Sequence, residues 1–241
     1  MRVQEARDLG DRLASLILNR QFEEAYDLLL PVLSERTPFC LLDVLGAGIG
    51  KAPQEVLDSC LDRIAAQQTM GGWVVIASAL RQQLVLDLTG AFERCRKYII
   101  AADVWYAADS FGERVPGPAL VSHFEPALAL LEPWREDTNP WVRRIVGVAV
   151  HYWAKRARGK ASHLTQAATL LNLLKPLFEE RSTDAVKGTG WGLKTLGRYY
   201  PELVADWLVQ QAGRPHRALM LRKATTYLAP ELRQRIAEKM L

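Results

Sequence analysis

The stretch Asn139-Pro140-Trp141-Val142-Arg143-Arg144-Ile145-Val146-Gly147-Val148-Ala149-Val150-His151-Tyr152 carries the clearest folding signal in the chain. Trp141, Ile145, Val148, Ala149 and Tyr152 recur at three- and four-residue spacing, the period of one face of an α-helix. Asn139 followed by Pro140 is a start signal. An Asn side chain accepts from the first free amides, and Pro suits the first helical position, where no N–H is needed. The same period appears far upstream, at Leu13, Leu16 and Ile17 and then Phe22, Ala25, Tyr26 and Leu29, and again at Leu128 and Leu131. Strict strand-type alternation is hard to find.

Between these stretches lie breaks at Thr37-Pro38, Lys51-Ala52-Pro53, Gly71-Gly72, Pro116-Gly117-Pro118, Asn139-Pro140, Tyr200-Pro201, Gly213-Arg214-Pro215 and Ala229-Pro230. They delimit roughly a dozen helices of about 10–17 residues joined by short loops. That series predicts an all-α, HEAT-like helical-repeat solenoid of stacked antiparallel helix pairs. The repeats are degenerate, because no clean motif recurs. A four-helix bundle fits less well, with too many helices of modest length. Pro116-Gly117-Pro118 is the nearest candidate for a domain boundary and reads as an inter-repeat loop, leaving a single domain over residues 1–241.

The 241 residues are 49% hydrophobic, ample for a core and too apolar for a mostly disordered chain. Cys40, Cys60 and Cys95 are far apart and form no Cys-x-x-Cys, which argues against a disulfide framework or a Cys-based zinc site and for a reducing cytoplasm. No apolar run is long enough to span a bilayer, and the N-terminus lacks the apolar region of a secretory signal. A soluble, intracellular protein is expected.

Charge is unevenly spread. Residues 1–132 carry 12 Lys and Arg against 18 Asp and Glu, a net of −6; residues 133–241 carry 19 against 9, a net of +10. A basic half suggests a face for a polyanion, although a solvated helical surface produces the same count.

Several chemistries lack their motifs. Gly46-Ala47-Gly48-Ile49-Gly50-Lys51 has Leu45 where a phosphate loop needs Gly and Ala52 where it needs Ser or Thr, and no strand precedes it. A helix end and turn is the better reading. His123, His151, His163 and His216 show no metal-ligand spacing, and there is no Gly-x-Ser-x-Gly elbow. Neither a metal nor another cofactor is expected.

Three segments do carry a signal. Trp105 and Asp109 are four apart, one turn along a helix face. A carboxylate beside an indole can stabilise a cationic, sugar-like species through opposite charge and cation–π attraction; a core Trp beside an exposed or capping Asp has the same spacing. Trp141 and Arg144 share a face, with Arg143 and Arg144 near the start of their helix. Cations there oppose the helix dipole and hint at an anionic partner such as a phosphate; a Trp packed between repeats with a surface Arg pair is the plainer reading. Gly188, Gly190 and Gly192 surround Trp191, flanked by Lys187 and Lys194, inside a helix where each Gly costs about 0.5–1 kcal/mol relative to Ala. They leave room for a neighbouring helix or for a ligand.

Taken together and in this order, the segments resemble the AlkD-type, HEAT-like alkylpurine DNA glycosylases. The shared pattern is a Trp-x-x-x-Asp pair, a Trp-x-x-Arg helix start after Asn-Pro, and a Gly-Trp helix. Tyr199-Tyr200-Pro201-Glu202-Leu203-Val204 and the basic Arg222-Lys223-Ala224 follow. The likeness covers roughly residues 95–240, so 1–94 are expected to be divergent N-terminal repeats and 95–241 the repeats carrying the active site. The resemblance implies a catalytic carboxylate at Asp109, with Trp105 and Trp191 flanking the sugar and backbone of the lesion nucleotide. It implies that Arg144 grips the DNA backbone, with Arg143, Lys187, Lys194, Arg222 and Lys223 as further DNA-binding cations on a concave basic face. One departure is visible. The family often has a second Trp and then an acidic or small polar residue after the first Trp; here these are Tyr106 and Ala107.

The implied reaction is hydrolysis of the N-glycosidic bond of cationic N3- or N7-alkylated purines in duplex DNA, without a base pocket or cofactor. The implied protein is a monomer of bacterial, cytoplasmic type, nucleoid-associated when on DNA. A non-catalytic HEAT-like nucleic-acid binder and a protein-interaction scaffold are the alternatives, and fold alone does not separate them.

Overall fold

A computed structural model of the chain describes residues 1–240. Among the described residues there is no strand, and the contacts divide into two units, residues 1–115 and 116–241. The fold class expected from the apolar period is therefore the observed one: the chain is all-α, built of helices packed in successive layers.

The first unit contains α1 (Val3–Leu18), α2 (Phe22–Ser34), α3 (Phe39–Ile49), α4 (Gln54–Ala66), α5 (Met70–Gln83), α6 (Leu88–Ala102) and α7 (Trp105–Arg114). Helices α1, α3, α5 and α7 pack side by side in one layer, with α2, α4 and α6 against them in a second. The apolar stripe decides which face turns inward. In α1 the buried positions are Ala6, Gly10, Leu13, Leu16 and Ile17, a helical repeat, whereas α5 is buried nearly all round from Gly72 to Leu80. Each fully buried Leu, Ile or Val contributes about 1.5–3 kcal/mol over an exposed one.

The run Gly46 to Gly50 is the end of α3, as read from the sequence, and its glycines serve close packing. A Cβ on Gly48 would lie 2.7 Å from Gly10 of α1, and one on Gly50 would lie 2.5 Å from the Ala79 carbonyl oxygen of α5. Cys60 and Cys95 are core residues, and burial pushes the Cys60 thiol up to about 11; Cys40 is exposed.

The second unit contains α8 (Pro116–Ser122), α9 (Phe124–Leu131), α10 (Pro140–Ala157), α11 (Leu164–Leu174), α12 (Thr183–Tyr199), α13 (Pro201–Val209), α14 (Ala218–Ala224) and α15 (Pro230–Met240). Helices α8, α10, α12 and α14 form one layer, with α9, α11 and α13 on the other side and α15 against α13. The division between units falls at Pro116-Gly117-Pro118, but this triplet is not a loop. It is the first turn of α8 and is buried. Proline is tolerated there because the first amides of a helix have no intrahelical acceptor.

Helix α10 begins where the sequence places it. The Asn139 side-chain oxygen accepts from Trp141 N at 2.8 Å and Val142 N at 3.4 Å, with Pro140 at the first position. It ends on Arg158 and Gly159, both at positive φ. Among the described residues no helix is long and apolar enough to cross a membrane.

Candidate functional site

In the first unit, Trp105 opens α7 and Asp109 follows one turn later. Val104 is the N-cap of this helix, so Asp109 does not cap α7. Trp105 is 55% exposed, so it is not a core tryptophan either. Its ring meets Tyr106 edge-on at 5.8 Å, while Ala107 and Ala108 point into the core. Asp109 is half-buried. Helix α7 thus holds an indole in the open with a carboxylate one turn behind it.

In the second unit, Arg144 lies on α10 and is only 6% exposed; its Nη1 donates to the Asp184 carbonyl at 3.1 Å, across to the start of α12. The approach is close because the facing residues are glycines. A Cβ on Gly188 would strike the Arg144 backbone, and one on Gly192 would lie 2.7 Å from the Gly147 carbonyl oxygen. Gly190 faces the other way, onto the stem of Lys223 in α14, whose Cδ lies 2.7 Å from where a Cβ would stand. Of the two uses open to the glycines around Trp191, the neighbouring helices take the space.

Arg143 points elsewhere. Its Nε donates to Glu180 Oε2 at 2.6 Å and its Nη2 to Glu180 Oε1 at 3.2 Å, and its Nη1 donates to the carbonyls of Asp137 and Thr138. Burial by itself would raise the Glu180 carboxyl. The hydrogen bonds from Arg143 and from the Ser182 and Arg181 amides outweigh it and hold the group below its usual value. Ser182 is the N-cap of α12, so Arg143 and Glu180 tie the start of α10 to the start of α12. The plainer sequence reading, a surface Arg pair, does not describe either arginine.

The remaining cations gather. Lys223 is held below its ordinary value, first by burial and then by the positive charges of Lys194, Arg144, Lys187 and Arg222. Five of the six cations singled out from the sequence therefore share one electrostatic neighbourhood, built from α10, α12 and α14. Residues 116–241 carry 19 Lys and Arg against 11 Asp and Glu, a net of +8.

Trp191 sits at the centre of this face, half-buried, and stacks on His151 of α10 with ring centroids 3.9 Å apart and planes at 27°. His151 is 6% exposed, and its Nδ1 is 2.7 Å from Thr195 Oγ1. The Thr195 hydroxyl donates to the Trp191 carbonyl at 3.0 Å, so Nδ1 carries the proton and donates to Thr195. Burial first, then Lys155 and Lys194, lower His151 to about 4. The ring under Trp191 is neutral at physiological pH.

His151, Lys155, Thr195, Arg198 and Tyr227 were missed by motif reading. A signal existed for most of them: Arg144, Gly147, His151 and Lys155 recur at helical spacing along α10, as do Lys187, Trp191, Thr195 and Arg198 along α12. Among the described residues no cluster of His, Cys, Asp and Glu is arranged to hold a metal ion.

Residues 64–228 match the model of a family described as DNA alkylation repair enzyme. No curated protein and no solved structure matches the chain.

Proposed function

The chain belongs to the DNA alkylation repair enzyme family, and from that premise we propose that it is a monofunctional DNA glycosylase. Its substrate would be duplex DNA carrying cationic N3- or N7-alkylated purines, and its product an abasic site. The matched residues include every position that the resemblance marks, from Trp105 and Asp109 to Trp191 and Lys223. The observation that carries the catalytic reading is the exposed indole of Trp105 with Asp109 one turn along α7.

The chemistry asks for little acid catalysis. An alkylated purine already bears positive charge, so the C1′–N bond breaks with its electron pair passing to the base, which leaves neutral. The positive charge moves to the sugar as an oxocarbenium-like species. In this proposal the Asp109 carboxylate opposes that charge and orients the water whose oxygen bonds to C1′; the released proton goes to the carboxylate or to solvent. The resemblance gives Trp105 and Trp191 the role of π-face contacts to the lesion nucleotide, each contributing about 0.5–2 kcal/mol. Arg144, Lys187, Lys194, Arg222 and Lys223 bind backbone phosphates. Arg143 supports them by fixing the starts of α10 and α12.

The test is release of free base from methylated duplex DNA by the wild type and by Asp109→Asn. The proposal expects release by the wild type and a loss of at least about a hundredfold in the variant, with DNA affinity retained. Full activity in Asp109→Asn would remove its assigned role. Salt-sensitive binding with no release by either protein would leave a nucleic-acid-binding module.

A further inference from the structure

Beyond Trp191, away from Arg144, the face built by α10 and α12 opens into a cleft of about 230 Å³. Lys155, Lys194 and Arg198 line it, with His151, Trp191 and Tyr227. That volume exceeds many times over the roughly 10–15 Å³ that one water needs, and leaves room for a phosphate with its ester linkages. Among the described residues no Asp or Glu lines the cleft. Three cations around one small cleft with no acid in its lining repel one another until an anion enters. The aromatic surfaces of the cleft are partly engaged. His151 covers one face of Trp191, and the Lys194 ammonium and Arg198 guanidinium stand 4.9 and 5.3 Å from the Tyr227 ring centre. A base would compete with these contacts for stacking surface, whereas a phosphate needs only the cations.

Position supports the same occupant. Arg144 and Lys155 are eleven residues apart on one helix, about 16 Å along its axis at 1.5 Å per residue. One DNA strand rises about 3.4 Å per nucleotide, so the two basic groups span several successive phosphates with Trp191 between them.

We infer that the Lys155–Lys194–Arg198 cleft is a second phosphodiester subsite, which holds the DNA strand on the opposite side of Trp191 from Arg144. The inference rests on the DNA-binding half of the proposed function and not on its catalytic half. Lys155 and Arg198 are exposed helix residues, so replacing them with Gln leaves the core intact.

The experiment compares the wild type with the Lys155→Gln/Arg198→Gln double variant on duplexes carrying one neutral methylphosphonate linkage, moved stepwise along each strand. One linkage is expected to weaken wild-type binding about five- to tenfold and the variant less than twofold. The variant's slope of log K against log salt should be shallower by about 1. Equal penalties in both proteins at every linkage would overturn the subsite. Titration with inorganic phosphate separates the other source of this chemistry. Sub-millimolar phosphate binding that the variant loses, with its DNA salt slope unchanged, would make the cleft a free-phosphate site and overturn the inference. A wild type that shows the linkage effect but releases no base would keep the subsite and defeat the glycosylase reading alone.

Discussion

His151 shows how one residue ties stability to the site. Its ring is stacked on Trp191, bonded to Thr195 and held neutral by burial and by Lys155 and Lys194. Its folded value of about 4 lies below the ordinary 6.5. Between those values the unfolded chain binds the proton more readily. The associated stability is therefore present above pH 6.5 and is lost as pH falls from 6.5 through 4. A drop of about 3 kcal/mol is expected over that window, read as a fall in denaturation midpoint that His151→Phe, which cannot titrate, should lack. Asn139 is the second residue-scale case. Its side chain caps the first free amides of α10, so Asn139→Ala should cost about 1 kcal/mol in urea denaturation.

Among the elements, α10 and α12 are the pair on which the second unit's basic face depends. Their contact is close because Gly147 of α10 faces Gly188 and Gly192 of α12. A methyl at Gly188 overlaps the Arg144 backbone, and neither helix can move without disturbing Trp191 and the cation cluster. Gly188→Ala should destabilise by about 1–3 kcal/mol, seen as a Tm lower by roughly 2–12 °C for a chain of this size, and should weaken DNA binding as well. The Arg143–Glu180 pair works on the same two elements from their N-terminal ends. Glu180→Gln removes the charge that faces a largely buried guanidinium and should cost about 3 kcal/mol, with DNA binding disturbed only through the displaced helix start. A variant as stable as the wild type would show that the pair is not holding α10 to α12.

On the scale of the whole molecule, the excess positive charge falls in residues 116–241 and its cations gather on α10, α12 and α14. If Arg144, Lys187, Lys194, Arg222 and Lys223 each neutralise one phosphate, log K for duplex DNA should fall against log salt with a slope near −4.5. A slope near zero would leave the protein-interaction reading. The helical class, the start of α10 at Asn139 and the charge imbalance were legible in the sequence, because apolar period, capping and composition are local properties of the chain. So was the placing of Trp105 and Asp109 one turn apart, which needs only that α7 be a helix. The sequence left open what Gly188, Gly190 and Gly192 make room for, and read Pro116-Gly117-Pro118 as a loop where a helix begins. It offered no means of knowing that His151 lies under Trp191, or that Arg143 turns to Glu180 while Arg144 joins the cations. Those partners stand 37 or more residues apart along the chain; only the packing of α10, α12 and α14 brings them together, and that packing follows from side-chain and backbone shapes summed over the helices and not from any short motif.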